Sequence, residues 1–214
     1  YLVDKYKKQD QWGKAKGALT ISVILNLLLL GIFKYSDFVV ENINQILGLA
    51  IPLPRLELPI GISFYTFQAM SYSIDVYRDE AKMQPNFIAF GAYVALFPQL
   101  IAGPIVRFQT VADELVNRRE NMDDFSQGIG RFMVGLGKKV LLANSIGMIW
   151  EQICAMGIDT LPVLTAWIGI LAFTFQIYFD FAGYSDMAIG LGRMFGFHFL
   201  ENFDYPYLSK SITE

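Results

Sequence analysis

From Gly17 to Phe33 the chain carries no charge and is almost entirely Leu, Ile, Val and Ala. At ~1.5 Å per residue such a run just crosses a hydrocarbon core of about 30 Å, with Lys34 and Tyr35 as interfacial anchors. Asn26 inside it is expected to face another helix. From Ser36 to Leu49, Phe38, Val39, Ile43, Ile46 and Leu47 are interspersed with Asp37, Glu41 and Asn44. That pattern predicts a short separate helix lying in the interface. Pro52 and Pro54 then break the chain.

Residues 58–77 form a second membrane element with a different texture. On a 100° wheel Gly61, Phe64, Gln68, Ser71, Tyr72 and Asp75 share an arc, with Ile60, Phe67, Met70 and Ile74 beside it. A polar stripe at helical spacing turns towards protein or a water-filled cavity rather than lipid. Residues 87–105 make a third element, interrupted by Pro98 and by Gly103-Pro104. Proline removes a helical hydrogen bond, so this stretch reads as broken or re-entrant, carrying Gln99 and ending on Arg107. Residues 109–124 read as a solvated loop or surface helix.

Residues 129–150 are apolar again, split by Gly135, Gly137, Lys138 and Lys139. The two lysines are expected at a membrane surface, where their stems snorkel. Residues 161–197 hold the last membrane element, an apolar span to Phe181 followed by a helix with a polar entry. The tail Leu200-Glu-Asn-Phe-Asp-Tyr-Pro-Tyr207 is aromatic and interfacial. Residues 1–16 read as a basic loop, weak grounds for placing that end in the cytoplasm. The fold expected is all-α: a polytopic transmembrane helical bundle with broken or re-entrant helices.

Composition agrees with a lipid environment. Apolar residues make up 54% of the chain and charged ones 17%, against about a quarter in soluble domains. The net charge of -3 gives no reason to expect a nucleic-acid partner. One cysteine, Cys154, excludes an internal disulfide and a cysteine-based metal cluster. The sequence carries no glycine-rich phosphate loop, paired-histidine zinc motif or Ser-His-Asp arrangement, so no metal site is assigned.

The strongest candidate chemistry lies in Gln176-Ile-Tyr-Phe-Asp-Phe-Ala-Gly-Tyr-Ser-Asp-Met-Ala-Ile-Gly190, which sets Asp180 and Asp186 at or near membrane depth. A charge at the bilayer centre costs roughly 2.5–3.5 kcal/mol on insertion scales, so a retained one is usually used. A plainer alternative has Ser185 and Asp186 capping a helix over Met187–Phe195. Gly183 permits a break between Asp180 and Asp186. On these residues alone, an ion-coupled transporter built around Asp75, Asp180 and the break at Pro98 stands beside an enzyme.

Leu58-Pro-Ile-Gly-Ile-Ser-Phe-Tyr-Thr-Phe-Gln-Ala-Met-Ser-Tyr-Ser-Ile-Asp-Val-Tyr-Arg78 resembles the signature of bacterial membrane-bound O-acyltransferases, the alginate O-acetyltransferase branch above all. Phe97-Pro-Gln-Leu-Ile-Ala-Gly-Pro-Ile-Val-Arg-Phe108, Gly135-Leu-Gly-Lys-Lys-Val140, Tyr178–Gly190 and Phe195–Tyr207 are similar to its further landmarks, in the family's order. The resemblance implies a multi-pass enzyme of the bacterial plasma membrane. It would move an acyl group, often acetyl, from a thioester onto hydroxyls of an extracytoplasmic polysaccharide. The donor would be acetyl-coenzyme A or a carrier-protein thioester, with no bound cofactor, and partner proteins of a cell-envelope acylation system are expected. Teichoic acid D-alanyl transfer and peptidoglycan O-acetylation proteins share the motifs, which leaves the acceptor open.

The resemblance places both family histidines beyond Glu214, so the chain is expected to be an internal fragment, inactive alone, with no catalytic residue of its own. His198, the only histidine, is expected to be an interfacial residue. Gln68, Asp75, Gln99, Arg107, Asp180, Tyr184 and Asp186 are the expected tunnel-lining or substrate-supporting residues.

Overall fold

The computed structural model describes residues 1–99, 106–157 and 161–211, and every regular element among them is helical. The chain divides into two compact units, Tyr1–Ile101 with Arg107–Ala112 and Ala102–Val106 with Asp113–Glu214. Three helical runs among the described residues are long and apolar enough to cross a membrane: Trp12–Leu47, Met122–Ala155 and Val163–Met194.

The first unit opens with α1 (Leu2–Lys8) and α2 (Trp12–Leu47), so residues 1–16 are largely helical rather than a basic loop. The side chain of Lys7 explains part of the difference. It is 8% exposed, donates to the Tyr77 carbonyl at 2.7 Å, and pairs with Asp79 at 2.6 Å. A cation on the last carbonyls of a helix satisfies acceptors that the helix cannot, and it complements the helix dipole. α2 also runs unbroken through Tyr35, so the separate interfacial helix over Ser36–Leu49 does not exist. No proline or glycine lies between Tyr35 and Leu47 to stop it. It ends at Gly48, which takes a left-handed φ of 64°. The chain then folds back, with Asn44 exchanging two hydrogen bonds with the Ile51 backbone. Asn26 donates to the Ser22 carbonyl of its own helix at 2.8 Å.

α3 (Ile62–Arg78) starts after Pro59 and a left-handed Gly61 (φ 79°), later than the expected start at 58. Its buried positions are Ile62, Thr66, Asp75 and Val76. The contact face is therefore rotated from the predicted arc: Thr66 is buried, whereas Phe64 is 45% exposed. α4 (Phe87–Val94) is short, capped by the Asn86 side chain on the Ile88 amide at 2.9 Å. A 3-10 turn covers Phe97–Gln99. Residues 100–105, with the expected Gly103-Pro104 break, lie outside the described residues, as does the Gln99 side chain. α5 (Phe108–Val111) brings Phe108 against Tyr72 and Tyr93, with ring centroids 4.8 and 5.2 Å apart.

The second unit contains α6 (Glu114–Asn117), α7 (Met122–Gly137), a π-helical turn over Lys138–Ala143, α8 (Asn144–Ala155) and α9 (Val163–Met194). α7 starts well before residue 129 because Asn121 caps it, accepting from the Asp124 amide at 2.8 Å. α7 to α8 is one helical run, and it packs antiparallel along α9. α9 is 32 residues long without interruption. Gly183 does not break it, and Ser185 and Asp186 lie in its interior rather than at a cap.

The reason is visible in the glycines. A Cβ built on Gly135 would stand 2.5 Å from the Gly183 carbonyl oxygen, and one on Gly183 would stand 2.7 Å from that of Gly135. Two helical turns away, Gly128 and Gly190 meet in the same reciprocal fashion at 2.6 and 2.7 Å. These four positions carry no side chain because the α7 and α9 backbones touch there. Further along the seam Gly147 receives Gln176, and Trp150 stacks obliquely on Phe173 with centroids 4.8 Å apart.

Substituting Gly135→Ala or Gly183→Ala in the intact protein should cost about 1–3 kcal/mol by overpacking. Gly130→Ala, where a Cβ meets nothing within 4 Å, should be neutral or stabilising by about 0.5–1 kcal/mol. Thermal unfolding in detergent checks this ordering, and equal effects at 130 and 135 would contradict it.

Candidate functional site

Close approach of α7 to α9 carries polar side chains into the seam. Arg131 on α7 donates to Asp186 Oδ1 through Nε at 3.1 Å and Nη2 at 2.6 Å. Lys138, at the start of the π-helical turn, reaches Asp186 Oδ2 at 2.6 Å. Arg131 also holds Glu201 of the tail. Lys139 pairs with Asp180, about one and two-thirds turns before Asp186 on α9. A π-helical turn is wider than an α-turn and is frequent at functional sites; here two consecutive lysines both reach carboxylates on one facing helix. They are thus partners within the fold, in place of the expected snorkelling anchors.

The two carboxylates differ in setting. Asp186 has a side chain 12% exposed and three charge-assisted bonds from two cations, whereas Asp180 is 43% exposed with one cation. Buried charge is tolerated only when paired and hydrogen-bonded, and Asp186 meets that condition. Tyr184 lies half-buried between them in sequence. Beside the pairs, the tail is laid on α9 by aromatic contacts of Tyr178 with Phe203 and Tyr207, and by Tyr207 donating to the Thr174 carbonyl at 3.3 Å.

The other expected residues occupy the first unit. Asp75 is 5% exposed, and its Oδ2 has no hydrogen-bond partner. Gln68 is half-buried on the same helix. Arg107 is a surface residue 3.9 Å from Glu80, too long for a strong pair. His198 is held through one ring nitrogen: Nδ1 is 3.0 Å from Glu114 Oε1, while Nε2 stands 3.6 Å from Asp124, beyond hydrogen-bond range. Its amide donates to Glu114 as well, which makes it a tether between the tail and the start of the unit. Among the described residues no His/Cys/Asp/Glu group could hold a metal ion.

Arg131 and Glu201 are members of the cluster that the residue pattern did not single out. The available signal was a cation seven residues before Lys138 in an apolar stretch. That spacing puts both on one helical face, where a charge needs a partner. In the intact protein Asp186→Ala should destabilise by about 1–3 kcal/mol, because it leaves Lys138 without its carboxylate and Arg131 with Glu201 alone. Asp180→Ala should cost about 0–1 kcal/mol. Denaturation of both variants measures the ratio, and equal losses would contradict the contrast in burial.

Residues 8–211 match the MBOAT, membrane-bound O-acyltransferase, family. A probable alginate O-acetylase of Pseudomonas syringae pv. tomato is 50% identical over 200 residues, covering 92% of this chain and 38% of that protein. One of Azotobacter vinelandii is 48% identical over 92% of this chain and 40% of its own length. A peptidoglycan O-acetyltransferase of Helicobacter pylori is 33% identical over 92% of this chain and 42% of its own length. The chain thus spans about two fifths of the length of these relatives.

Proposed function

The chain belongs to the membrane-bound O-acyltransferase family, and from that premise we propose that it is part of an enzyme moving an acetyl group onto hydroxyls of an extracytoplasmic polysaccharide. The observation that carries this reading is the 50% identity to a probable alginate O-acetylase across 92% of the chain. The acceptor proposed first is therefore an alginate-like uronic acid polymer. The H. pylori relative keeps a peptidoglycan acceptor within the same chemistry.

In the reaction the acceptor hydroxyl oxygen attacks the thioester carbonyl. A base takes the hydroxyl proton, a carbon–oxygen bond forms, the carbon–sulfur bond breaks, and the departing thiolate receives that proton from the base to leave as the thiol. The donor is a thioester, either acetyl-coenzyme A or one linked to a carrier protein, and further envelope proteins present the polymer. A histidine suits the base, since its ordinary pKa of about 6.5 matches neutral pH. We do not assign the base to His198, whose backbone amide and Nδ1 are both bound to Glu114 as a tether of the tail. Asp180 and Asp186 are poor candidates because cations already hold them. We assign the base to a residue outside 1–214.

These residues contribute support. Asp186 with Arg131 and Lys138 fixes α9, and Asp180 with Lys139 aims the more open polar face, with Tyr184, towards the acceptor. Gln68, Asp75, Gln99 and Arg107 are assigned to the tunnel walls.

Asp180→Asn keeps the size and hydrogen bonding of the side chain, so the intact enzyme should retain much of its polysaccharide acetylation. Asp180→Ala should lose most of it while still reaching the membrane. Equal, near-complete loss in both would show that the charge itself is needed, and no loss in either would remove Asp180 from the site. Residues 1–214 purified alone should transfer no labelled acetyl to polymer; detectable transfer would return the base to this segment.

A further inference from the structure

Between α9, the π-helical turn and the tail lies a small polar cavity lined by Lys138, Ser185, Asp186 and Glu201, with Tyr178 and Phe203 among its walls. It leaves about 20 Å³ for an occupant. That suits one water, which needs roughly 10–15 Å³, and excludes a sugar ring. Ser185 lines it from the interior of α9. The residue is 2% exposed, and its hydroxyl oxygen has no hydrogen-bond partner. A buried hydroxyl left unpaired costs about 1–3 kcal/mol, and this one borders a space that could satisfy it.

Charge decides what fits. Lys138 and the adjoining Arg131 supply two positive charges, and Asp186 and Glu201 supply two negative ones, all joined in ion pairs. With that balance neither an anion nor a cation is favoured. A neutral group that both donates and accepts is.

We propose that this cavity is a built site for one structural water, hydrogen-bonded to Ser185 and to the charged groups around it, which fastens the tail at Glu201 to α9. Ser185 is then a positioning residue, and its hydroxyl is linked to Glu201 although the two make no direct hydrogen bond. The proposal rests on packing in the second unit and stands apart from the acyl-transfer reading.

The two possibilities predict opposite signs. With the water, Ser185→Ala in the intact protein removes one of its partners and lowers the Tm by about 2–4 °C. Without it, the same change relieves an unpaired buried hydroxyl and raises the Tm or leaves it unchanged. A lowered Tm could also come from a bond between the serine and its own helix. Glu201→Ala, at a largely exposed side chain, separates that case. Loss of a shared water makes the double variant less impaired than the two single losses combined, whereas a local serine bond makes them additive. A lowered Tm with sub-additive coupling is the expected result. A raised or unchanged Tm, or strict additivity, overturns the proposal.

Discussion

Contact between two helix backbones, with no side chains to separate them, is the constraint from which the second unit follows. At Gly135 with Gly183, and again at Gly128 with Gly190, the α7 and α9 main chains meet. In an apolar environment helices gain little from hydrophobic exclusion, so association depends on close van der Waals packing and polar contacts. The glycines provide the first and bring the second within reach. At this separation Arg131 and Lys138 both bond to Asp186. A wider seam would leave a largely buried carboxylate without its cations and Lys138 without a partner, a worse outcome than an apolar core.

The first unit solves a related problem differently. The last carbonyls of α3 accept from the buried ammonium of Lys7, which is flanked by the Trp12 and Tyr77 rings at 5.2 and 5.8 Å. That single side chain links α1 to the end of α3. Earlier on α3 Tyr72 meets Phe90 and Phe108 edge to face or tilted, and its hydroxyl accepts from the Gln84 amide at 2.8 Å. In each unit these polar groups are paired within the fold, whereas Asp75 Oδ2 in the first and Ser185 Oγ in the second have no direct partner.

The apolar runs, the helical class and the family were legible in the sequence, because they depend on local composition and on motifs read in order. Continuity was not. Gly183 reads equally as a hinge or as a contact point, and only its neighbour on α7 decides between them. Ser185 and Asp186 carry the side chains of a helix cap, yet α9 runs through both because Asp186 has partners 48 and 55 residues away. Lys138 and Lys139 look like surface anchors for the same reason: a wheel shows the face a residue occupies, not the helix opposite. The polar arc on α3 was placed slightly off, since Phe64 and Gln68 follow the period while burial follows Thr66 and Val76. Asp180 and Asp186 stand out in the sequence as the carboxylates of this helix, but their partners are tertiary facts.

A map of the intact protein in a lipid nanodisc, detailed enough to trace main chain along α7 and α9, tests the central claim most directly. The backbones of Gly135 and Gly183 should lie in van der Waals contact, with Arg131 and Lys138 both on Asp186. Helix axes held apart at those glycines by intervening side chains, at the common spacing of about 8–10 Å, with Asp186 turned away from both cations, would contradict it.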